Sequence, residues 1–326
     1  MNRVSRFVVR RLMHGVVLLL ALSFLSFALA QWAPGDFYSN LRADPQVSAA
    51  TVSGLRAQSG LTRPLPVRYI IWLTGLLHGD FGYSLAYHGP VAALLPERIA
   101  STLLLTATAV LLAWGLALPL GIWSAAGRRG WLDSLSTAGA SLLLAIPELV
   151  LAIALLSLAV ETGWLPGGGK VSRAHDAMGA LARFGDVAWH MVIPVTVLVA
   201  GLAPVLMRHV RAALLETMAA PFALSTRAHG IPRRRILFRH LLPAALNPIV
   251  SLFGVSLGTL LSASLLVEVI TGWPGLGPLF VEAIMARDFA LVLSVVMLSA
   301  AFLLLGNLAA DLLLCRIDPR IRRAEA

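Results

Sequence analysis

Cysteine and lysine occur once each in this chain, as Cys315 and Lys170, and charged residues of all kinds make up only 13%. One cysteine excludes an internal disulfide and any cysteine-based metal cluster. Cys315 ends an apolar run and reads as a small apolar residue. One lysine leaves a single place for a phosphate-binding loop, G-x-x-x-x-G-K-[ST]. Gly169-Lys170 is followed by Val171, and Trp164 stands at the first glycine position. The chain is therefore not an ATPase by itself. Its eight histidines show no i, i+4 pair or other metal-ligand spacing. Ser84, Ser141 and Ser264 have no nearby His-Asp context, so neither a metal site, a cofactor nor catalysis is expected. The shortage of charge also excludes a soluble domain of 326 residues, whose surface would need far more of it.

Apolar sequence fills the space. Hydrophobic residues reach 58% and mean hydropathy is +0.82. A hydrocarbon core of roughly 30 Å is crossed by about 20 apolar residues in a helix. Runs of that length cover residues 11–30, 101–124, 135–160, 188–207, 244–270 and 289–315. Backbone groups in lipid must be satisfied within each segment, so these runs predict six transmembrane helices in an all-α membrane protein. Pro119, Pro147, Pro194 and Pro204 fall inside them and are expected to kink their helices.

The net charge of +10 could point to nucleic acid, but its distribution points to topology. Arg3, Arg6, Arg10 and Arg11 precede the first run, and Arg128 and Arg129 follow the second. Arg208, Arg211, Arg227, Arg233, Arg234, Arg235 and Arg239 lie between the fourth and fifth, and Arg316, Arg320, Arg322 and Arg323 end the chain. The short alternate loops hold only Lys170, Arg173, Arg183 and Arg287. The positive-inside rule then places both termini in the cytoplasm, and no nucleic-acid partner is expected. Ala28-Leu29-Ala30 before Gln31 imitates a signal cleavage site, but the apolar run is long for a signal core, which favours a retained helix.

Outside the membrane, residues 31–100 form a long loop in which short helices are expected around 49–58 and 67–77. A glycine-rich loop covers 161–187. Thr271-Gly272-Trp273-Pro274-Gly275-Leu276-Gly277-Pro278 reads as a rigid turn, with Trp273 as an interfacial anchor and a short helix over 279–286. Glu268 and Asp311, near the ends of the fifth and sixth runs, read as interfacial or structural. Asn247 before Pro248 reads as handling a local backbone break.

Residues 221–243, PFALSTRAHGIPRRRILFRHLLP, are basic and partly amphipathic, with no acidic residue. This segment resembles the cytoplasmic loop of binding-protein-dependent ABC transporter permeases, where E-A-A-x-x-x-G followed about a dozen residues later by L-P forms a coupling helix. Gly230 matches the glycine and Leu242-Pro243 the closing pair. Leu224-Ser225-Thr226 departs from E-A-A, whereas Thr226-Arg227-Ala228-His229-Gly230 is similar to the peptide branch's R-T-A-R-A-x-G. Pro34-Gly35-Asp36, Gly79-Asp80-Phe81-Gly82-Tyr83-Ser84, Gly163-Trp164-Leu165-Pro166, Trp273-Pro274-Gly275-Leu276-Gly277, Ala286-Arg287-Asp288 and Asp318-Pro319-Arg320-Ile321-Arg322 follow in order. They resemble the first permease of dipeptide, oligopeptide and nickel importers.

The resemblance implies a type I ABC importer permease of the bacterial inner membrane. It would comprise an N-terminal helix and external segment (1–94), a transmembrane core (95–315) with a coupling helix at about 219–231, and a tail (316–326). The implied partners are a second homologous permease, two ABC ATPase subunits and an external solute-binding protein. Coupling to the ATPase would use Phe222, Leu224, Ser225, Thr226, Arg227, Ala228, Gly230 and Ile231, with Phe222, Leu224 and Ile231 filling a hydrophobic groove. Arg233–Arg235 suit either the ATPase or membrane lipid headgroups. The implied solute is a di- or oligopeptide, with nickel or another small solute as the alternative. A stand-alone secondary transporter would leave the basic segment unexplained.

Glu148, directly after Pro147 inside the third run, departs from the small or hydroxyl residue usual in the family. It is a candidate lining residue of the translocation path, and equally a structural hydrogen-bonding group.

Overall fold

The computed structural model describes residues 3–32, 35, 37–38, 48–58, 60, 62–127 and 130–317. Among them, five helices are long and apolar enough to span a membrane, and a bent pair makes a sixth span if counted as one. The first is α1 (Arg3–Trp32). Two short helices follow, α2 (Ala49–Gln58) and α3 (Leu65–Leu77). A two-residue hairpin, β1 (Tyr83–Ser84) and β2 (Gly89–Pro90), leads into α4 (Val91–Ala126).

The third expected span is not one helix. It is α5 (Trp131–Ala145) and α6 (Glu148–Thr162), bent by 90° where a kink was expected. Proline disfavours the helical region for the residue before it, and Ile146 is extended, at φ −93°, ψ 117°. Pro119 and Pro204, by contrast, lie inside continuous helices. Pro194 sits in the first turn of α8, where a missing N–H costs nothing.

A short helix, α7 (Ala180–His190), precedes the long α8 (Val192–Ala219). The short α9 (Pro221–Ala228) and α10 (Arg233–Ile236) come next, then a π-helical turn, Leu237–Leu241, and α11 (Leu242–Thr271). The chain closes with α12 (Leu276–Met285) and α13 (Phe289–Ile317).

The core lies where α4, α8 and α11 meet, around Leu105, Ala109, Ala113, Ala117, Leu198, Leu206 and Leu260. Small residues let the first two backbones approach. A Cβ on Gly121 would fall 2.8 Å from Val210 Cβ and 2.9 Å from Met207 O, so that crossing requires glycine. Trp114 Nε1 donates to Ser256 Oγ at 3.0 Å and ties α4 to α11. Around this core, α13 packs on α11 and α1 packs on α13. The Arg11–Asp311 ion pair (2.8 Å) joins those last two helices. α3 docks on α1 through Tyr69, which hydrogen-bonds Ser23 at 2.8 Å and meets Phe24 and Phe27 edge-on.

Successive spans run in opposite directions. One end of the bundle, the terminal face, therefore carries the start of α1, the α8–α11 connection and the end of α13. The other, the loop face, carries α2, α3, the hairpin, α7 and α12.

A candidate coupling surface and the clasp opposite it

On the terminal face, Ala220 leaves the helix in an extended conformation, and Pro221 starts α9 with φ preset for a helix. Ala223 faces inward and is fully buried, while Phe222 and Leu224 on either side are 43% and 58% exposed. Ser225 and Ala228 are exposed as well. The Thr226 hydroxyl is spent locally, donating to the carbonyls of Phe222 (3.1 Å) and Ala223 (2.9 Å). The Arg227 side chain lies outside the described residues. Gly230 ends the segment at φ +70°; a Cβ there would meet nothing within 4 Å, so backbone conformation rather than space calls for glycine.

Two expectations change here. The helix is shorter than 219–231, because Ala219 belongs to α8 and the chain turns at Gly230. Ile231 does not point outward with Phe222 and Leu224; it is half-buried and packs toward the core. It also lines a concavity of about 730 Å³ between the ends of α4 and α8 and α10, beside Met218, Arg233, Arg234 and Leu237. Arg233, Arg234 and Arg235 are exposed. Nearby, Arg211 grips Asp133 with two bonds, 2.8 and 2.9 Å, and fixes the start of α5 against α8.

The loop face is built differently. Glu268 near the end of α11 is fully buried, and its Oε2 accepts the Gly277 N–H at 2.8 Å. Thr102 of α4 accepts the Leu276 N–H at 2.8 Å. These two side chains cap the first turn of α12, whose free N–H groups need acceptors. Trp273 is not an interfacial anchor: it is fully buried, and its Nε1 donates to Ser101 O at 3.0 Å. The glycine-rich loop joins the same knot. Gly169 N donates to Thr271 O (2.9 Å), and Lys170 Nζ reaches Ser101 Oγ (3.0 Å).

A second knot joins motifs far apart in sequence. Asp288 Oδ2 accepts from the Ser84 hydroxyl (2.6 Å) and Ala86 N (3.1 Å), while Oδ1 accepts the Leu291 N–H (3.2 Å) as the cap of α13. Tyr87 donates to Glu282 of α12, and burial and that carboxylate push its phenol up to about 12. Of the flanking motif residues, Pro34 and Asp36 and residues 318–322 lie outside the described ones.

The comparisons with known proteins follow this architecture. The family described as "Binding-protein-dependent transport system inner membrane component" matches residues 117–323, and its N-terminal counterpart matches residues 4–106. The chain belongs to that family. It is 33% identical over 319 residues to the oligopeptide transport system permease protein AppB of Bacillus subtilis (strain 168), covering 97% of this chain and 99% of that one. It is 31% identical over 318 residues to the glutathione transport system permease protein GsiC of Salmonella typhimurium (strain LT2), covering 97% and 98%. An inward-facing structure of the MetNI methionine ABC transporter shares its fold, with a TM-score of 0.55 and 22% identity. That match covers 69% of this chain and 96% of the other.

This permease is thus a non-catalytic, multi-pass subunit of the inner membrane, of a family that works with an ATPase and a binding protein. Its sequence singled out Phe222 and Leu224, and the structure exposes both. It gave no sign of Ala223 as the buried anchor of α9, because alanine carries no pattern. Glu268 could have been flagged as a buried acid beside a glycine-rich turn whose amides need acceptors. Glu148 lies elsewhere, half-buried in the first turn of α6 against Gly201 of α8.

Proposed function

We propose that this chain is one of two homologous permeases in an ATP-driven importer of di- or oligopeptides. The single observation that carries the substrate reading is its end-to-end likeness to an oligopeptide permease, over 97% of this chain and 99% of the relative. The terminal face, with both termini, lies in the cytoplasm. There α9 seats in a cleft of the ATPase, with Phe222 and Leu224 in an apolar groove and Ser225, Arg227 and Ala228 at its rim. Thr226 and Gly230 hold the shape of that segment, and Ile231 ties it to the bundle core. Exposed Arg233, Arg234 and Arg235 give this surface the charge to meet acidic groups of the partner.

Movement of α9 by the ATPase would pass to α8 and, through Ile231 and the π-helical turn, to α11. In domain terms, 95–315 is the moving core, 1–94 its external companion and 316–326 a cytoplasmic tail. An external solute-binding protein delivers the peptide at the loop face.

Reconstitution tests this directly. The chain, its partner permease, the ATPase and the binding protein in vesicles should take up labelled oligopeptide only with ATP and the binding protein together. Uptake by this chain alone, or uptake of nickel but not peptide by the full assembly, would overturn the reading.

A further inference from the structure

Glu148 stands at the 90° break between α5 and α6, against a point well inside α8. Its carboxylate fills the space where a Cβ on residue 201 would stand, so Gly201 is the seat that admits it. Among the described residues it has no hydrogen-bonding or charged partner. The arginine on the same flank, Arg208, donates to Ser141 Oγ at 2.6 Å instead.

A carboxylate at this depth is costly unless it faces a water-filled path or a partner. Its place in the first turn of α6 favours negative charge there. The break points the same way. Pro147 has no N–H to offer the last carbonyls of α5, and the first amides of α6 have no acceptor within the helix. Irregular backbone at membrane depth is tolerated only inside protein or beside water. The half-buried carboxylate and the open backbone lie side by side at the break, where water or a polar partner must satisfy them.

We propose that Glu148 and the break beside it form a cation-recognising station in the translocation path, which takes the ammonium group of the passing solute. For a peptide this is the free N-terminus. The inference rests on the peptide-import reading and adds a selectivity to it.

The test uses the full assembly in vesicles, with two peptides of one sequence free of Lys and Arg, one with a free amine and one N-acetylated. Each is supplied with saturating binding protein, which is common to all variants, so a change in the ratio of uptake rates reports the permease. The proposal expects wild type to favour the free amine. In Glu148→Gln the ratio of free to acetylated uptake should fall about tenfold, the worth of a charge-assisted hydrogen bond. Glu148→Asp, which keeps the charge, should retain part of the preference. An unchanged ratio, or equal loss of both rates, would overturn the proposal in favour of a structural carboxylate. Loss of the second permease from Glu148→Gln would overturn it too, assigning the group to a subunit contact. If wild type imports neither peptide, the peptide reading itself fails.

Discussion

The two faces of this permease are held by different means. At the loop face, Glu268, Thr102, Trp273 and Asp288 hold groups of neighbouring and distant segments through buried or partly buried hydrogen bonds. At the terminal face, α9 is held mainly by one buried alanine and by its two chain connections, and it shows large apolar side chains to its surroundings. Buried polar groups left unpaired are expensive, so the loop face resists change piece by piece. An exposed apolar helix costs little to shift and gains only when something covers it. The polar knots of the loop face are paired within the chain, whereas the apolar side chains of α9 stand uncovered.

Substitutions can break this contrast. The largest effect is expected for Glu268→Ala, which strips the Gly277 amide of its buried acceptor and leaves a void. A loss of roughly 3 kcal/mol should appear as a lowered thermal midpoint in detergent. Asp288→Ala removes the hairpin contact and the cap of α13 together, and about 2 kcal/mol should be lost by the same measurement.

A smaller effect concerns the loop-face segment before α8. Burial opposes the charge of Asp186, but the Ser172 amide, His175 and His190 outweigh it and hold its pKa below the usual carboxylate value. A lowered folded pKa stabilises above the unfolded value and is lost as pH falls through the folded one. The protection factors of Ser172–His190 amides, with the intrinsic pH dependence of exchange divided out, should therefore fall on acidification in wild type and become nearly insensitive to pH in Asp186→Asn. The smallest effect on stability should come from Phe222→Ala with Leu224→Ala, under about 0.5 kcal/mol, because both side chains are already exposed. A fall as large as that of Glu268→Ala would erase the contrast between the faces.

The sequence made the membrane helices legible because lipid demands long apolar runs, and the short helices near 49–58 and 67–77 were readable as well. The division of the third span was not. Pro147 resembles Pro119 and Pro204 in local sequence, yet only at Pro147 does the chain turn by 90°. Whether a proline bends or breaks a helix depends on which neighbours re-satisfy the freed groups, and that is tertiary information. The motif Gly82-Tyr83-Ser84 and the motif Arg287-Asp288 were each visible, but not their meeting, since Ser84 and Asp288 are 204 residues apart. Trp273 was misread because an aromatic beside glycine and proline looks the same at an interface as in a core. At the candidate site, the exposed pair in α9 was legible from its apolar spacing. The inward turn of Ile231 was not, because it depends on the left-handed Gly230 before it.

Association with the ATPase tests the central contrast most directly. The wild-type permease and the Phe222→Ala, Leu224→Ala variant would each be purified with their partner permease, and bound ATPase measured by quantitative pull-down. The account predicts that wild type retains the ATPase and the variant loses most of it, with thermal midpoints of the two permeases unchanged. Undiminished ATPase binding by the variant would contradict it.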